Sequence, residues 1–229
     1  IRTAVAQLCA EASFSYSIAV ATEAFRQAAN SAEFFKQIRA EFGIEFNIIS
    51  GEVEAYLTRL GVENRAKILN LNIKDSLLID LGGASTEISF GKASRSFSFG
   101  IITALESDKR AEISTAIEFI KQFKFNNIIL TSGVPTTVAA LKQGLNYANY
   151  RADLINGVQI KNTDLNWAAN LLKTTPNKDE LVGKNRADLI VKGCEILSNL
   201  VGFSPCIVID DGLREGLFIA KKLNLKEIK

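Results

Sequence analysis

The chain has 229 residues, 47% of them hydrophobic, enough for one large domain or two small ones with a real core. A formal net charge of +2, from 27 basic and 25 acidic residues without a Lys/Arg cluster, gives no field suited to nucleic acid. Histidine is absent, which excludes a histidine base or metal ligand and leaves acid–base chemistry to carboxylates, Lys, Tyr or water.

In chain order, residues 1–11 read as a helix, with Val5, Leu8, Cys9 and Ala12 at helical spacing. Residues 16–21 (Y-S-I-A-V-A) predict a short apolar strand. Thr22 then caps a helix that Glu23 opens, that runs to about Phe42 and that closes on Gly43. Residues 45–49 predict another strand, Ser50-Gly51 turns into a helix from about Glu52, and 64–71 reads as a short helix or loop. Residues 77–90 (L-L-I-D-L-G-G-A-S-T-E-I-S-F) predict a β-hairpin: an apolar run ends on Asp80, Gly82 and Gly83 make the turn, and Thr86, Ile88 and Phe90 alternate with Ser85, Glu87 and Ser89. Residues 95–99 can add a third antiparallel strand, 112–123 is amphipathic helix, and 127–131 is a buried strand leading through Ser132-Gly133 into a helix to about Lys142. Segments 164–172 and 185–200 read as helices, 205–209 as a strand, Asp210-Asp211-Gly212 as a turn and 213–223 as a last helix. Strand–loop–helix units around an antiparallel hairpin set point to a mixed α/β fold, with ligands expected at the strand ends.

No apolar run is long enough to span a bilayer and no signal-peptide pattern opens the chain, so no membrane partner is expected. Cys9, Cys194 and Cys206 form no C-x-x-C and fit a reduced cytosolic setting. Met is absent even from position 1, so the sequence reads as a fragment, a processed product or one from which residues have been left out.

The hairpin carries the clearest chemistry. Glycine can take φ > 0 and turn successive N–H groups onto one anion, Ser85 and Thr86 add hydroxyl donors, and period two puts Ser85 and Glu87 on one face. Asp80, where strand meets loop, can hold a divalent cation beside a bound phosphate, directly or through water. A D-x-G-G turn alone is often structural; the acid before it and S-T-E after it make the string more specific. Other candidates are weaker taken singly. Arg26, one turn into a helix, reads as a solvated arginine, and Glu52 and Glu54 both suit the dipole of a helix start. Ser132-Gly133 is an ordinary strand–helix turn, and Trp167 reads as core or surface.

Together these strings resemble the exopolyphosphatase/guanosine pentaphosphate phosphohydrolase (Ppx/GppA) family of the actin, hexokinase and heat-shock ATPase superfamily. The hairpin is similar to its D-x-G-G-G-S-T-E motif, 21–30 to A-T-x-A-x-R-x-A-x-N, 49–55 to I-S-G-x-x-E-A, and 211–216 (D-G-L-R-E-G) to its S-x-G-L-R-E-G. Ala84 stands at the third glycine of the hairpin motif, where a positive φ would strain it.

The resemblance implies two ribonuclease-H-like domains around a cleft, with residues 1–62 the remainder of the first and 63–229 the second. It implies Mg²⁺ on Asp80, Glu54 as base or water-positioning group, and Glu87 assisting with metal or water. Phosphate would lie on Arg26, Gly82, Gly83, Ser85, Thr86 and Gly133. Arg214 either reaches a phosphate or pairs with a buried carboxylate, and Asn185-Arg186-Ala187-Asp188 reads as packing. The implied activity is release of terminal phosphate from inorganic polyphosphate, from guanosine pentaphosphate (pppGpp), or from both, in the cytoplasm, by water attack. Guanosine penta- or tetraphosphate and polyphosphate are the expected partners, with a homodimer left open. Two alternatives are an ATP-handling kinase or ATPase of the same superfamily and a non-catalytic phosphate or alarmone sensor. Nothing before Tyr16 matches the family's first phosphate motif. The expectation is that the chain begins inside the first domain and, taken alone, hydrolyses weakly or not at all.

Overall fold

A computed structural model describes residues 1–11 and 17–223; Ala12 of the first helical pattern and Tyr16 of the first expected strand lie outside the described residues. The chain opens with α1 (Arg2–Glu11), β1 (Ala19–Ala21), α2 (Glu23–Gln27), α3 (Ser31–Phe42), β2 (Phe46–Ile48) and α4 (Gly51–Ile68). β1 and β2 pair in parallel, as a helical crossover between them requires. The single helix expected after Thr22 is two helices, because the chain turns extended at Ala28. An unbroken helix would hold Phe25 and Phe35 about 15 Å apart. The break instead brings their ring centroids to 4.7 Å, with Phe35 stacked on Phe46 of β2 at 4.8 Å. Gly43 closes α3 at φ 70°, as expected.

α4 runs unbroken through residues 64–68, where the sequence suggested a separate short helix or loop, so a division at residue 62 falls inside it. Its buried Ala55, Thr58, Val62 and Ala66 recur at helical spacing past that point, which keeps it going. There follow β3 (Ser76–Leu81), β4 (Thr86–Phe90), β5 (Ala93–Phe97), α5 (Ile101–Glu106), α6 (Arg110–Ile120), β6 (Asn127–Thr131) and α7 (Gly133–Lys142). The chain ends with α8 (Ala152–Ile155), β7 (Gln159–Ile160), α9 (Asn162–Thr174), α10 (Lys178–Val182), α11 (Ala187–Val201), β8 (Cys206–Val208) and α12 (Leu213–Lys222).

The large sheet has the order β5-β4-β3-β6-β8-β7, with β3, β6 and β8 parallel and the outer pairings antiparallel. Period two sorts its residues onto two cores. Leu77, Ile79, Ile128, Leu130 and Val208 face the helices α7, α9 and α11. Leu78 and Ile129 face Val62 and Ala66 of α4. α12 packs back on α4 through Leu57, Leu217 and Ala220, tying the end of the chain to the small β1–β2 unit. No described helix is long and apolar enough to cross a membrane.

Candidate active site

The expected hairpin forms, and its register sets Asp80 opposite Glu87. The turn is built differently from the sequence expectation. Gly82 and Gly83 do not have positive φ; the left-handed glycines lie elsewhere. The Gly82 N–H donates to the Ser85 carbonyl (3.0 Å), and the Gly82 and Gly83 carbonyls accept from Ile101 N (3.0 Å) and Ile102 N (2.8 Å) at the start of α5. Close approach is what demands glycine here: a Cβ on Gly100 would meet the Gly83 carbonyl carbon at 2.4 Å and Ala84 N at 2.6 Å. With its carbonyls turned onto α5, the loop leaves the Gly83 and Ala84 N–H groups without a partner among the described residues, which is what an anion cradle needs. Ala84 escapes the left-handed region as well, so the departure from a third glycine costs nothing.

Thr86 does not serve the cradle. Its side chain is fully buried and donates to the Phe99 carbonyl at 2.7 Å. Ser85 sits beside Glu87 as period two requires, its hydroxyl hydrogen-bonded to that carboxyl.

Opposite the hairpin, α4 starts on Ser50, whose Oγ accepts from Val53 N at 3.3 Å. Gly51 lets this end pass β5: a Cβ there would lie 2.4 Å from Ser96 Cβ. Glu52 points to solvent, its carboxyl lowered by the helix-start N–H and Ser50, which is the structural role expected of it. Glu54 is buried at 8% exposure, and Arg26 Nη1 donates to its Oε2 at 3.1 Å and to the Ile49 carbonyl at 2.7 Å. Arg26 is therefore no solvated arginine. Its Nε donates to Glu23 Oε2 at 2.8 Å, and Nη2 comes within 2.7 Å of the same oxygen without the alignment of a hydrogen bond. Nη2 is buried and, although ion-paired with Glu23, makes no aligned hydrogen bond.

Three carboxylates thus share one wall. Burial raises Glu54, opposed by Arg26, with Asp80 and Glu23 adding repulsion. Burial pushes Asp80 up to about 6, while Thr58 Oγ1, donating to Oδ2 at 3.2 Å, pulls it back. Burial together with Glu54 and Asp80 raises Glu87 to about 8, against hydrogen bonds from Ser96 (2.7 Å to Oε1) and Ser85. Among the described residues no group of three or more ligating side chains converges as a closed metal cage. Mg²⁺ ordinarily takes one or two carboxylates and fills its shell with water and substrate phosphate. Asp80 and Glu87, mutually repelling across one register position, fit that open mode.

The raised values fix the sign of a pH dependence. A carboxyl with a higher pKa folded than unfolded keeps more protons in the native state, so stability is greatest below its ordinary pKa and falls as pH rises toward the folded value. For Glu87 that window runs from 4.5 to about 8, for Asp80 from 3.8 to about 6. Without divalent cation, the thermal midpoint is expected to fall between pH 5 and pH 8. Glu87→Gln, which keeps the acceptor for Ser96, should flatten that fall and gain more than about 1 kcal/mol at pH 8. A wild-type midpoint that rises over this range would contradict the assignment.

Asp80 also lines a cavity of about 320 Å³ with Thr131, Ser132, Gly133 and Arg214. Gly133 stands at the start of α7, as the sequence suggested. Arg214 is 85% exposed with its Nη2 3.5 Å from Glu215 Oε1, while the buried Asp211 beside it is held by Arg65 Nε at 2.8 Å. A second cavity, of about 370 Å³, shares Thr136, Asp210 and Arg214 with the first and adds Tyr147, Tyr150 and Arg186. Arg186, read from the sequence as packing, faces this cavity with its guanidinium carbon 5.4 Å from the Tyr147 ring centroid. Trp167 is half-exposed on α9, on neither cavity.

Sequence reasoning missed Thr58, Ser96, Tyr147, Tyr150 and Asp210, and weighed Ser132 only as part of the Ser132-Gly133 turn. Only Ser132 and Asp210 carried a signal, as polar residues just after strands β6 and β8.

A mixed sheet carrying a glycine-turn hairpin, faced by a small parallel sheet, is the architecture of the actin-like ATPase fold. Solved neighbours share it: the Ppx/GppA family member of Aquifex aeolicus (TM-score 0.72, 24% identity, 98% of this chain and 79% of that one) and an exopolyphosphatase from Cytophaga hutchinsonii (TM-score 0.73, 19% identity, 99% and 80%). The chain belongs to the Ppx/GppA phosphatase family, whose family model matches residues 3–225. Among similar proteins, a bifunctional 3-dehydroquinate synthase/phosphatase of Fusobacterium nucleatum is 26% identical over 213 residues, 81% of this chain and 31% of that one. A guanosine-5'-triphosphate,3'-diphosphate pyrophosphatase of Pseudoalteromonas translucida is 32% identical over 143 residues, 54% and 28% respectively. The chain spans about a third or less of the length of these two relatives.

Proposed function

We propose that this chain carries the phosphate-releasing site of a phosphoanhydride hydrolase, acting on pppGpp in preference to inorganic polyphosphate. The observation that carries the hydrolase reading is the meeting of Glu54, Asp80 and Glu87 with Arg26, beside the N–H groups of Gly83 and Ala84, which have no partner among the described residues. Mg²⁺ held at Asp80 with Glu87 would neutralise charge on the phosphoryl oxygens. Arg26 and the loop N–H groups bind and orient the terminal phosphoryl group. Glu54, with only Oε2 engaged by Arg26 among the described contacts, holds a water through Oε1 and takes its proton as the oxygen bonds to phosphorus. The P–O bond to the leaving phosphate breaks in the same displacement, and the leaving oxygen keeps the electron pair.

Preference for a nucleotide follows from the second cavity. Its volume of about 370 Å³, two tyrosines, a half-buried carboxylate and two guanidiniums, Arg186 and the shared Arg214, suit a nucleobase and ribose next to phosphate better than a further run of phosphates alone. The relatives named as acting on guanosine-5'-triphosphate,3'-diphosphate support this reading. Arg186→Ala is expected to raise KM for pppGpp about tenfold while leaving phosphate release from tripolyphosphate unchanged. An equal loss on both substrates, or on neither, would remove the nucleotide preference. The sensor alternative requires binding without release. The kinase alternative requires transfer of phosphate from ATP to an acceptor.

A further inference from the structure

Ser132 concentrates two costs at one position. Its backbone holds φ 87° and ψ 177°, a region open in practice to glycine alone. The other non-glycine residues with positive φ among the described residues are Asn70 and Asn185, and asparagine tolerates it. The side chain gains nothing local in return. A serine before a helix ordinarily accepts from the second or third helical N–H, but the third residue of α7 is Pro135, which has none, and no cap bond forms. Ser132 Oγ is buried without a hydrogen-bond partner. The surroundings impose this conformation: Thr136 Oγ1 donates to the Ser132 carbonyl at 2.8 Å, and Thr131 Oγ1 to the Asp211 carbonyl at 3.0 Å. Glycine at this position would release the backbone and remove the orphaned oxygen in one step.

The location says what satisfies it. β6 neighbours β3 with Thr131 opposite Asp80, so Ser132 lies one residue beyond the register partner of Asp80, in the wall of the same cavity as Asp80 and Arg214. We infer that Ser132 is a substrate-contacting residue: rotation about its Cα–Cβ bond turns the hydroxyl from the wall into the cavity, where it donates to an oxygen of the phosphoryl group next to the one released. This rests on the phosphoanhydride reading of the site. Ser132 then fixes how far along a phosphate chain the cut falls, because it holds the neighbouring group while Glu54 addresses the terminal one.

The test compares wild type, Ser132→Gly and Ser132→Ala in titrations with inorganic tripolyphosphate and Mg²⁺, together with the thermal midpoint of each protein and phosphate release from pppGpp by the wild type. Both variants are expected to bind tripolyphosphate at least about tenfold more weakly. Ser132→Gly should at the same time melt about 2–4 °C higher, and Ser132→Ala, which keeps the strained backbone, close to wild type. Stability rising while affinity falls is a signature a merely structural serine does not give. Equal binding by all three proteins overturns the inference and leaves the hydrolase reading standing. Weakened binding in the variants with no release from pppGpp by the wild type supports the contact and overturns the hydrolase reading. No binding and no release by the wild type overturns both.

Discussion

Glu54→Gln is expected to lower kcat for phosphate release by about 10²–10⁴-fold, with KM little changed. The amide fills the same volume and still accepts from Arg26 Nη1, so the bond at 3.1 Å and the first turn of α4 survive. What goes is the proton acceptor. Arg26 keeps its two approaches to Glu23, so no guanidinium is stranded, and repulsion on Glu87 falls. The variant should therefore melt no lower than wild type, and higher at pH 8. Loss of release together with loss of fold would mean that Glu54 is structural. Unchanged kcat would remove it from the chemistry. Measuring kcat, KM and the melting midpoint of one preparation separates these outcomes.

The largest effect on stability is expected from Gly216→Ala, at more than about 3 kcal/mol. A Cβ there would lie 1.7 Å from the carbonyl oxygen of Leu57 and 2.6 Å from its carbon, both backbone atoms in the middle of α4. No side chain can swing aside. The contact is reciprocal, since a Cβ on Gly61 of α4 would lie 2.2 Å from the Gly212 carbonyl oxygen. The two helices must separate, and Leu57, Leu217 and Ala220 lose their packing. Because α4 carries Glu54 and Thr58 while Arg214 opens α12, the same change should abolish activity. Gly43→Ala is the control: it meets open space and pays only for φ 70°, about 1–2 kcal/mol. Urea unfolding of the two variants measures the contrast. Similar losses from both would show that helix contact is not what Gly216 provides.

These glycines show where the sequence can mislead. The string D-G-L-R-E-G drew attention to its arginine, yet its glycines let α12 lie against α4, and its Glu215 caps the helix by accepting from Gly212 N at 2.8 Å. The central hairpin was legible because alternation, an acid at the strand end and two small residues all agree on one geometry. Its turn was legible only in outline. Gly82 and Gly83 read as left-handed, whereas Gly100, seventeen residues on in the chain from Gly83, is where the absent Cβ matters most.

α4 was cut short in the sequence reading because Glu63, Asn64 and Arg65 interrupt the apolar pattern, although all three are part-buried and Arg65 reaches the buried Asp211. β7, two residues on a sheet edge, is too short to show a period. Arg26 and Glu54 were found through flanking residues, and Thr58, one helical turn after Glu54, carries Asp80 on a buried face that a sequence shows only as an ordinary threonine. Arg186 and Tyr147 meet across nearly forty residues, a juxtaposition that needs the fold.

The most direct test of the site is phosphate release from pppGpp and from polyphosphate with Mg²⁺, by the protein as it is encoded, in wild-type and Glu54→Gln forms. Release by the wild type, faster from pppGpp, and its loss in Glu54→Gln with pppGpp still bound is the expected result. Binding of pppGpp by a wild type that releases no phosphate, or release that survives Glu54→Gln undiminished, would contradict it.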